Sequence, residues 1–374
     1  MAHLLFATLD AGGNVAPVVG IGRELANRGH RVRIMSHEAQ RPAIAKAGLE
    51  FSAYHSVRHW SATVQRSQLR SIRDIVRAFL DLGIAADLLE AVRADPPDIV
   101  VVDCMLIDAL NALHANGIRH IALFHSFYAF FDGSFRSGPV GLASRVRRLD
   151  PRKVWSRADR QLICADRQLD PYRGNVTSAM EWIGPVHDAN CLAAPPDVPR
   201  VLASLSTIAF PGQTGVWQKI LDACGGLPVE LVATTGPAVD PTELVAPTNA
   251  AVHQYIPHSE LMPNCSVVIG HGGHSTAMRA LAFGVPVLTM PLHPMLDQPM
   301  VGKAIAEAGA GIVVKRSASR SQIRDSLVAL LEDGNYRSAA VEIANRLQAS
   351  NGAIRGADRI EGAAVAGCDR TSKP

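Results

Sequence analysis

Short apolar runs alternate with longer amphipathic segments along this chain, and the alternation restarts once near its middle. Short apolar runs are typical of buried strands, and the segments between them carry helical spacing. Strands that alternate with helices form parallel sheets with helices on both faces. The predicted strands are residues 4–8, 32–36, 99–103, 121–124, 201–205, 229–233, 252–254, 267–269, 287–289 and 311–314.

Glycines end two of the predicted helices. Residues 18–28 are followed by Gly29 and residues 38–47 by Gly48, where glycine commonly ends a helix. One long helix is predicted from about Ile72 to Ala94. The basic run between Arg145 and Arg157 is interpreted as one solvated helix face, with a contact for an acidic partner as the alternative.

A proline-rich stretch divides the two halves of the pattern. Residues 185–199 contain Pro195 and Pro196 and few core residues, so they are interpreted as a linker. A chain of 374 residues is long enough for two domains. The sequence therefore predicts two doubly wound α/β domains facing across a cleft, residues 1–190 and 200–350, with ligands at the carboxyl ends of strands.

Composition excludes several classes of function. The net charge of +3 is too small to imply a polyanion, and 5% aromatic content argues against stacking on nucleic acid. No apolar run reaches the ~20 residues that cross a bilayer, and the first residues resemble a strand rather than a leader. We therefore expect a cytoplasmic protein without stable membrane insertion, and leave a homodimer open. Six cysteines without C-x-x-C spacing are expected to be reduced thiols, with no zinc site: Cys104, Cys164, Cys191, Cys224, Cys265 and Cys368.

The run from Ile269 to Thr276 combines the end of a strand, a glycine turn and the start of a helix. Glycines let a ligand approach the backbone, and Ser275 and Thr276 place hydroxyls beside free N–H groups, which suits a pyrophosphate. His271 adds a donor that can carry positive charge. Asp297 and Gln298 follow the next strand, where a carboxylate and an amide can bind sugar hydroxyls. The combination predicts a nucleotide-sugar site.

Within this site, the pyrophosphate is assigned to the glycine turn and the helix start. The loop after residues 201–205 can add contacts through Ser206 and Thr207, although Ser206 equally suits the cap of a turn. The residues predicted to hold the pyrophosphate are His271, Gly273, Ser275 and Thr276.

The segment from Tyr255 to Gln298 resembles the donor signature of the inverting glycosyltransferases that use UDP- or TDP-sugars, such as plant enzymes and actinobacterial enzymes that glycosylate antibiotics. The run from Gly12 to Pro17 and the helix after it extend the resemblance to the N-terminus. The resemblance implies a GT-B fold and a last segment, residues 351–374, that packs back on the first domain. It also implies a nucleobase site at Thr235, Gly236, Ile256 and Pro257.

Metal-independent transfer is expected, without a cofactor. The chain has no D-x-D triplet, and transferases that hold a diphosphate through Mg²⁺ or Mn²⁺ usually need clustered carboxylates. The helix start and the histidine would neutralise the leaving group instead.

The resemblance implies a histidine base where this chain has Asn14, with Asp103 as its partner at a strand end. An amide cannot accept the proton of an acceptor hydroxyl. Three explanations stay open: the acceptor needs no strong base, another side chain replaces it, or the chain is an engineered variant. The candidate replacements are His125, Asp10 and Asp103, and a structural role for His125 is the alternative.

Two groups of aromatic and polar residues suit a large, flat, partly apolar acceptor of aromatic or polyketide type. Core packing explains any one of these aromatic side chains equally well. The predicted acceptor-binding residues are Asn14, His59, Trp60, His125, Phe127 and Phe130.

Transfer of a hexose or deoxyhexose from a TDP- or UDP-sugar to a small natural product, with inversion, is the function that these features predict. A dehydrogenase is disfavoured because the first glycine turn is not G-x-G-x-x-G and the second strand ends without an acid. The alternatives are an epimerase or hydrolase on the same scaffold, or a catalytically silent protein that binds sugar nucleotides.

Overall fold

The computed structural model describes residues 1–58, 60–64 and 68–371, without the side chains of residues 68, 69, 71, 72 and 366–371. The chain divides into two compact units. As far as they are described, residues 1–61, 68–186 and those from 350 onward form the first unit, and residues 62–64 and 187–349 form the second.

A parallel sheet of seven strands forms the centre of the first unit. Its strands are β1 (His3–Ala7), β2 (Arg31–Ser36), β3 (Glu50–Ala53), β4 (Ile99–Asp103), β5 (His120–Phe124), β6 (Arg160–Ile163) and β7 (Met180–Trp182). They lie in the order β3-β2-β1-β4-β5-β6-β7. The direction of winding reverses between β1 and β4, where ligands of such sheets bind.

Helices connect most of these strands, as is usual for parallel pairing. They are α1 (Val15–Asn27), α2 (Arg41–Lys46), α3 (Gln68–Phe79), α4 (Leu82–Ala94), α5 (Ile107–Ala115), α6 (Tyr128–Phe130), α7 (Pro139–Val146) and α8 (Pro151–Trp155). A π-helical turn, Phe131–Phe135, continues α6.

The second unit repeats the arrangement with six parallel strands. The strands are β8 (Arg200–Ser204), β9 (Glu230–Thr234), β10 (Ala250–His253), β11 (Val267–Gly270), β12 (Val287–Thr289) and β13 (Gly311–Val313), in the order β10-β9-β8-β11-β12-β13. The helices are α9 (Gln213–Cys224), α10 (His258–Leu261), α11 (His274–Ala282), α12 (Gln298–Glu307), α13 (Arg320–Glu332) and α14 (Gly334–Gln348). The prediction of two doubly wound sheets is confirmed.

The last helix, α15 (Gly352–Thr371), belongs to the first unit and packs against α1. A Cβ on Gly356 would lie 2.9 Å from Ile21 Cδ1, so the two helices approach closely. Arg28 bonds Asp358 at 2.7 Å and Glu361 at 2.6 Å across the same contact. The predicted linker, residues 185–199, contains no helix or strand.

Three strands and one helix break are not in the sequence-based prediction. β3, β6 and β7 have four, four and three residues, too few for a clear periodic signal. The predicted helix from Ile72 to Ala94 is wrong, because α3 and α4 are separate. Asp81 is extended there (ψ 115°) and its side chain accepts a hydrogen bond from Gly83 N at 2.9 Å, so it caps α4.

The basic run is also wrong as one helix face. It spans the end of α7, a turn in which Arg148 has φ +61°, and all of α8. Arg147 pairs with Asp108 at 2.8 Å, and Arg152 pairs with Asp132. Several of these cations therefore hold neighbouring segments together.

Of the five cysteines whose side chains are described, all are unpaired and all but Cys191 are buried, as predicted. None of the helices, within the described residues, is both long and apolar enough for a membrane span.

Candidate functional site

The predicted donor-binding residues of the second unit all follow the carboxyl ends of its strands. Five neighbouring strands contribute, and the sheet brings their ends to one edge. Along that edge lie Ile256 and Pro257 after β10, Thr235 and Gly236 after β9, Ser206 and Thr207 after β8, His271 to Thr276 after β11, and Asp297 and Gln298 after β12.

The glycine turn after β11 touches the loop that carries the Asp-Gln pair. Gly272 has φ +81°, and a Cβ there would lie 2.6 Å from the carbonyl oxygen of Gln298 and 2.8 Å from Thr289 Cγ2. A Cβ on Gly273 would lie 2.5 Å from Nε2 of His271. Glycine is therefore required at position 272, where the φ angle is positive and backbone fills the space of a side chain, whereas at position 273 the obstacle is the ring of His271.

The start of α11 is open to an anion. Gly273, its N-cap, provides no side-chain cap, and the first turn contains no acidic residue. The first N–H groups of a helix have no acceptor inside the helix. Those of Ser275 and Thr276 therefore add to the positive end of the dipole of a nine-residue helix.

The imidazole of His271, a donor that can carry positive charge, is uncharged in the free protein. Burial lowers its pKa to about 4, so the imidazole is neutral at pH 7. Its Nδ1 is buried and has no hydrogen-bond partner among the described residues. The ring can donate a hydrogen bond to a phosphate oxygen, but in the free protein it adds no charge.

Gln298 braces the loop after β12. Its side chain is 3% exposed, and Oε1 accepts hydrogen bonds from the backbone of Leu292 at 2.8 Å and of His293 at 3.0 Å. The side-chain nitrogen of Gln298, Nε2, is then the atom that could donate a hydrogen bond to a sugar hydroxyl. Asp297, half-buried beside it, is the N-cap residue of α12.

The loops after β8 and β9 lie side by side. A Cβ on Gly236, whose φ is +67°, would lie 3.7 Å from Thr207 Cγ2. Ser206 Oγ accepts a hydrogen bond from Ile208 N at 3.0 Å, which is the turn cap given above as its alternative role. Thr235 is fully buried, so a ligand here would meet its backbone rather than its hydroxyl.

In the first unit, Asp103 brings together the residues predicted for proton transfer. Asn14 Nδ2 donates to Asp103 Oδ2 at 3.1 Å, and His125 Nδ1 lies 3.3 Å from the same oxygen. The other carboxylate oxygen accepts from Met105 N at 2.9 Å. Asp103 is 2% exposed and ends β4, while His125 directly follows β5, the neighbouring strand.

The segment after His125 is held by residues that the sequence did not single out. The ring of Phe131 lies edge-on to that of His125, with centroids 5.1 Å apart. Asp170 is fully buried and accepts hydrogen bonds from the backbone of Tyr128 at 2.8 Å and of Ala129 at 3.2 Å. No sequence spacing links Asp170 to Tyr128, because the two residues are 42 positions apart and meet only after β5 and β6 have paired.

The remaining predicted acceptor residues differ in exposure. Trp60 is half-buried, and its Nε1 donates to the carbonyl of Asp10 at 2.5 Å. Phe127 is fully buried and Phe130 is 7% exposed, so both are core side chains here and would need this loop to open before touching an acceptor. His59 lies outside the described residues.

Asp103, Cys104 and His125 form a group whose potential ligand atoms all lie within 4.8 Å of one another. Burial raises the pKa of the Cys104 thiol well above its usual value. A protonated thiol is a poor metal ligand. Among the described residues, this is the one group of three that could hold a metal ion.

Two family models match this chain. Residues 12–179 match the glycosyl transferase 4-like domain, and residues 218–353 match the C-terminal domain of the erythromycin biosynthesis protein CIII-like family. In an alignment of 387 positions, the chain is 24% identical to the NDP-glycosyltransferase YjiC of Bacillus subtilis, with 96% of each protein covered.

Solved structures share the fold. CalG4, the calicheamicin glycosyltransferase, superposes with a TM-score of 0.79 at 22% identity, covering 97% of this chain and 98% of that one. The spinosyn rhamnosyltransferase SpnG, complexed with thymidine diphosphate, gives a TM-score of 0.73 at 18% identity, covering 96% and 100%. At these identities the similarity establishes the architecture.

Proposed function

We propose that this chain, which matches a glycosyl transferase 4-like domain in its first half and shares the fold of a solved glycosyltransferase, transfers a hexose or deoxyhexose from a TDP- or UDP-sugar to a small natural product, with inversion. The observation that carries the proposal is the uncapped start of α11, where a glycine turn meets the loop of Asp297 and Gln298. A cytoplasmic location is part of the proposal.

The order of loops along the sheet edge gives the donor an orientation. We assign the nucleobase to the loops after β10 and β9, the diphosphate to those after β8 and β11, and the sugar to the loop after β12. This order matches the order of groups in a nucleotide sugar. The complex of SpnG with thymidine diphosphate supports a TDP-linked donor.

Diphosphate is the leaving group, and its negative charge grows as the bond to the sugar breaks. The N–H groups of Ser275 and Thr276 can stabilise that charge, because preorganised donors need no rearrangement during the reaction. Within the described residues, no group of three potential metal ligands lies in the second unit. We propose that these N–H groups, without a metal ion, stabilise the leaving group.

An aromatic or polyketide-like acceptor is supported by the family of the chain and by its similarity to CalG4, a calicheamicin glycosyltransferase. A protein that binds sugar nucleotides without transferring them is the second candidate. Asn14 favours it, because an amide stands where the family implies a base. An epimerase differs from both, because its product is another sugar nucleotide.

A product assay separates these functions. The protein is incubated with TDP-glucose labelled in the sugar and with a panel of aromatic and polyketide aglycones. The proposal expects a labelled glycoside whose anomeric configuration is opposite to that of the donor. Binding without turnover would support the silent protein, and a new sugar nucleotide would support the epimerase.

The diphosphate site has its own test. Replacing both His271 and Thr276 with alanine should weaken TDP binding at least about tenfold in titration calorimetry, which corresponds to about 1.4 kcal/mol. Ser319→Ala is the matched control, because Ser319 caps α13 at another helix start of the same unit. Unchanged TDP affinity in the double variant would refute the assignment of the diphosphate to these two side chains.

A further inference from the structure

Asn14 is a donor in this structure and cannot remove a proton. Its Nδ2 lies 3.0 Å from Thr8 Oγ1, 2.8 Å from the carbonyl of Leu9 and 3.1 Å from Asp103 Oδ2. The side chain is 1% exposed and its amide is therefore fixed in one orientation. Asn14 therefore holds the carboxylate of Asp103 in position through this hydrogen bond.

His125 occupies the other side of that carboxylate. Its Nδ1 is buried 3.3 Å from Asp103 Oδ2, within ion-pair distance but without the geometry of a hydrogen bond, and this negative neighbour favours the tautomer with the proton on Nδ1. The lone pair then lies on Nε2, and 15% of the side chain is exposed. Phe131 packs edge-on against the ring and fixes its plane.

We propose that His125 is the general base of the transfer, and that Asp103 and Asn14 position it. The inference rests on the function proposed above. The acceptor oxygen bonds to the anomeric carbon of the sugar while the bond from that carbon to the diphosphate oxygen breaks. The bonding electrons leave with the diphosphate, and the proton of the acceptor hydroxyl moves to Nε2. Asp103 stabilises the imidazolium.

The other candidate bases are occupied. The carboxylate of Asp103 is taken up by its three neighbours. Asp10 Oδ1 accepts a hydrogen bond from Gln40 Nε2 at 2.6 Å. Burial raises the pKa of Cys104, so its thiol stays protonated. His125, by contrast, keeps a basic nitrogen on a ring that lies beside the carboxylate of Asp103.

The test compares His125→Gln with His114→Gln, a matched change at an exposed histidine of α5. Turnover is followed as transfer from TDP-glucose to benzyl alcohol and to 4-nitrophenol, and as hydrolysis of TDP-glucose. His125→Gln should lower kcat for benzyl alcohol and for water about 10²–10⁴-fold, the range for loss of a general base. His114→Gln should leave all three rates unchanged.

The acidity of the acceptor distinguishes a base from a structural residue. 4-Nitrophenol loses its proton easily, so its rate should fall at least about tenfold less than that of benzyl alcohol. The acidic limb of the pH profile of kcat/KM should also disappear in His125→Gln. Equal losses for both acceptors, or an unchanged pH profile, would overturn the proposal.

Two measurements keep this test separate from the proposed function. TDP affinity, measured by calorimetry, should be the same in both variants and the wild type; weak binding in His125→Gln alone would indicate a folding defect and contradict a purely catalytic role. Nitrogen-15 shifts of His125 should show the proton on Nδ1 whether or not turnover is found. A proton on Nε2 with a bare Nδ1 would overturn the inference, whereas absent turnover with the expected tautomer would count against the proposed function alone.

Asn14→His adds an independent check. If His125 already supplies the base, a second histidine at position 14 should give no gain for alcohol acceptors. A rise of about tenfold or more would show that the base is missing and that His125 does not act as one.

Discussion

Gly272→Ala should push the loop of Asp297 and Gln298 away from the start of α11 and destabilise the second unit. The residue has φ +81°, and alanine in this region costs about 1–2 kcal/mol. Its Cβ would also stand 2.6 Å from the carbonyl oxygen of Gln298 and 2.8 Å from Thr289 Cγ2. Relieving such overlap in a packed region costs typically about 1–3 kcal/mol more. The expected loss is about 2–5 kcal/mol of unfolding free energy.

Gly226→Ala is the matched control. Gly226 lies in the same unit with φ +72°, but a Cβ there has no atom within 4 Å. Its substitution should therefore cost only the backbone term of about 1–2 kcal/mol. Urea unfolding followed by circular dichroism measures both losses.

The affinity for TDP is the second property to measure in the same two variants. The carbonyl of Gln298 must move away from an alanine at position 272, which shifts the loop of Asp297 relative to the start of α11. Calorimetry should show at least about tenfold weaker TDP binding for Gly272→Ala and no change for Gly226→Ala. Equal stability losses and equal affinities in the two variants would refute the argument that this contact shapes the site.

Three further outcomes are expected. The pKa of His271 is about 4 in the free protein, and a bound phosphate favours the charged ring, so TDP binding should take up protons and strengthen as pH falls from 7 toward 5. Calorimetry in buffers of different ionisation enthalpy measures this uptake, and its absence would show that the ring stays neutral in the complex. Asp170→Ala should cost about 3 kcal/mol in urea unfolding, because it leaves the buried donors of Tyr128 and Trp182 without an acceptor, and a loss below about 1 kcal/mol would contradict this. EDTA should leave the transfer rate unchanged; a loss that added metal restores would show that a metal ion is required.

Local sequence patterns predicted the architecture because each strand and helix of a doubly wound sheet carries its own signal. The apolar runs at β4 and β11 are buried on both faces, and such strands remain apolar throughout. Elements whose signal is short were missed, such as the three-residue β7, and Asp81 broke a helix that continuous apolar spacing had suggested.

For the candidate site, the sequence determined which residue types follow each strand, and parallel topology then places them at one edge. Tertiary structure alone decided the protonation of His271, because burial depends on neighbours distant in the chain. It also decided that Asp103 holds both Asn14 and His125 at one oxygen, since β1, β4 and β5 bring together residues 89 positions apart in sequence. The order of residues determines which functional groups follow each strand. The charge state of a side chain and its hydrogen-bond partners depend on distances that exist only after folding.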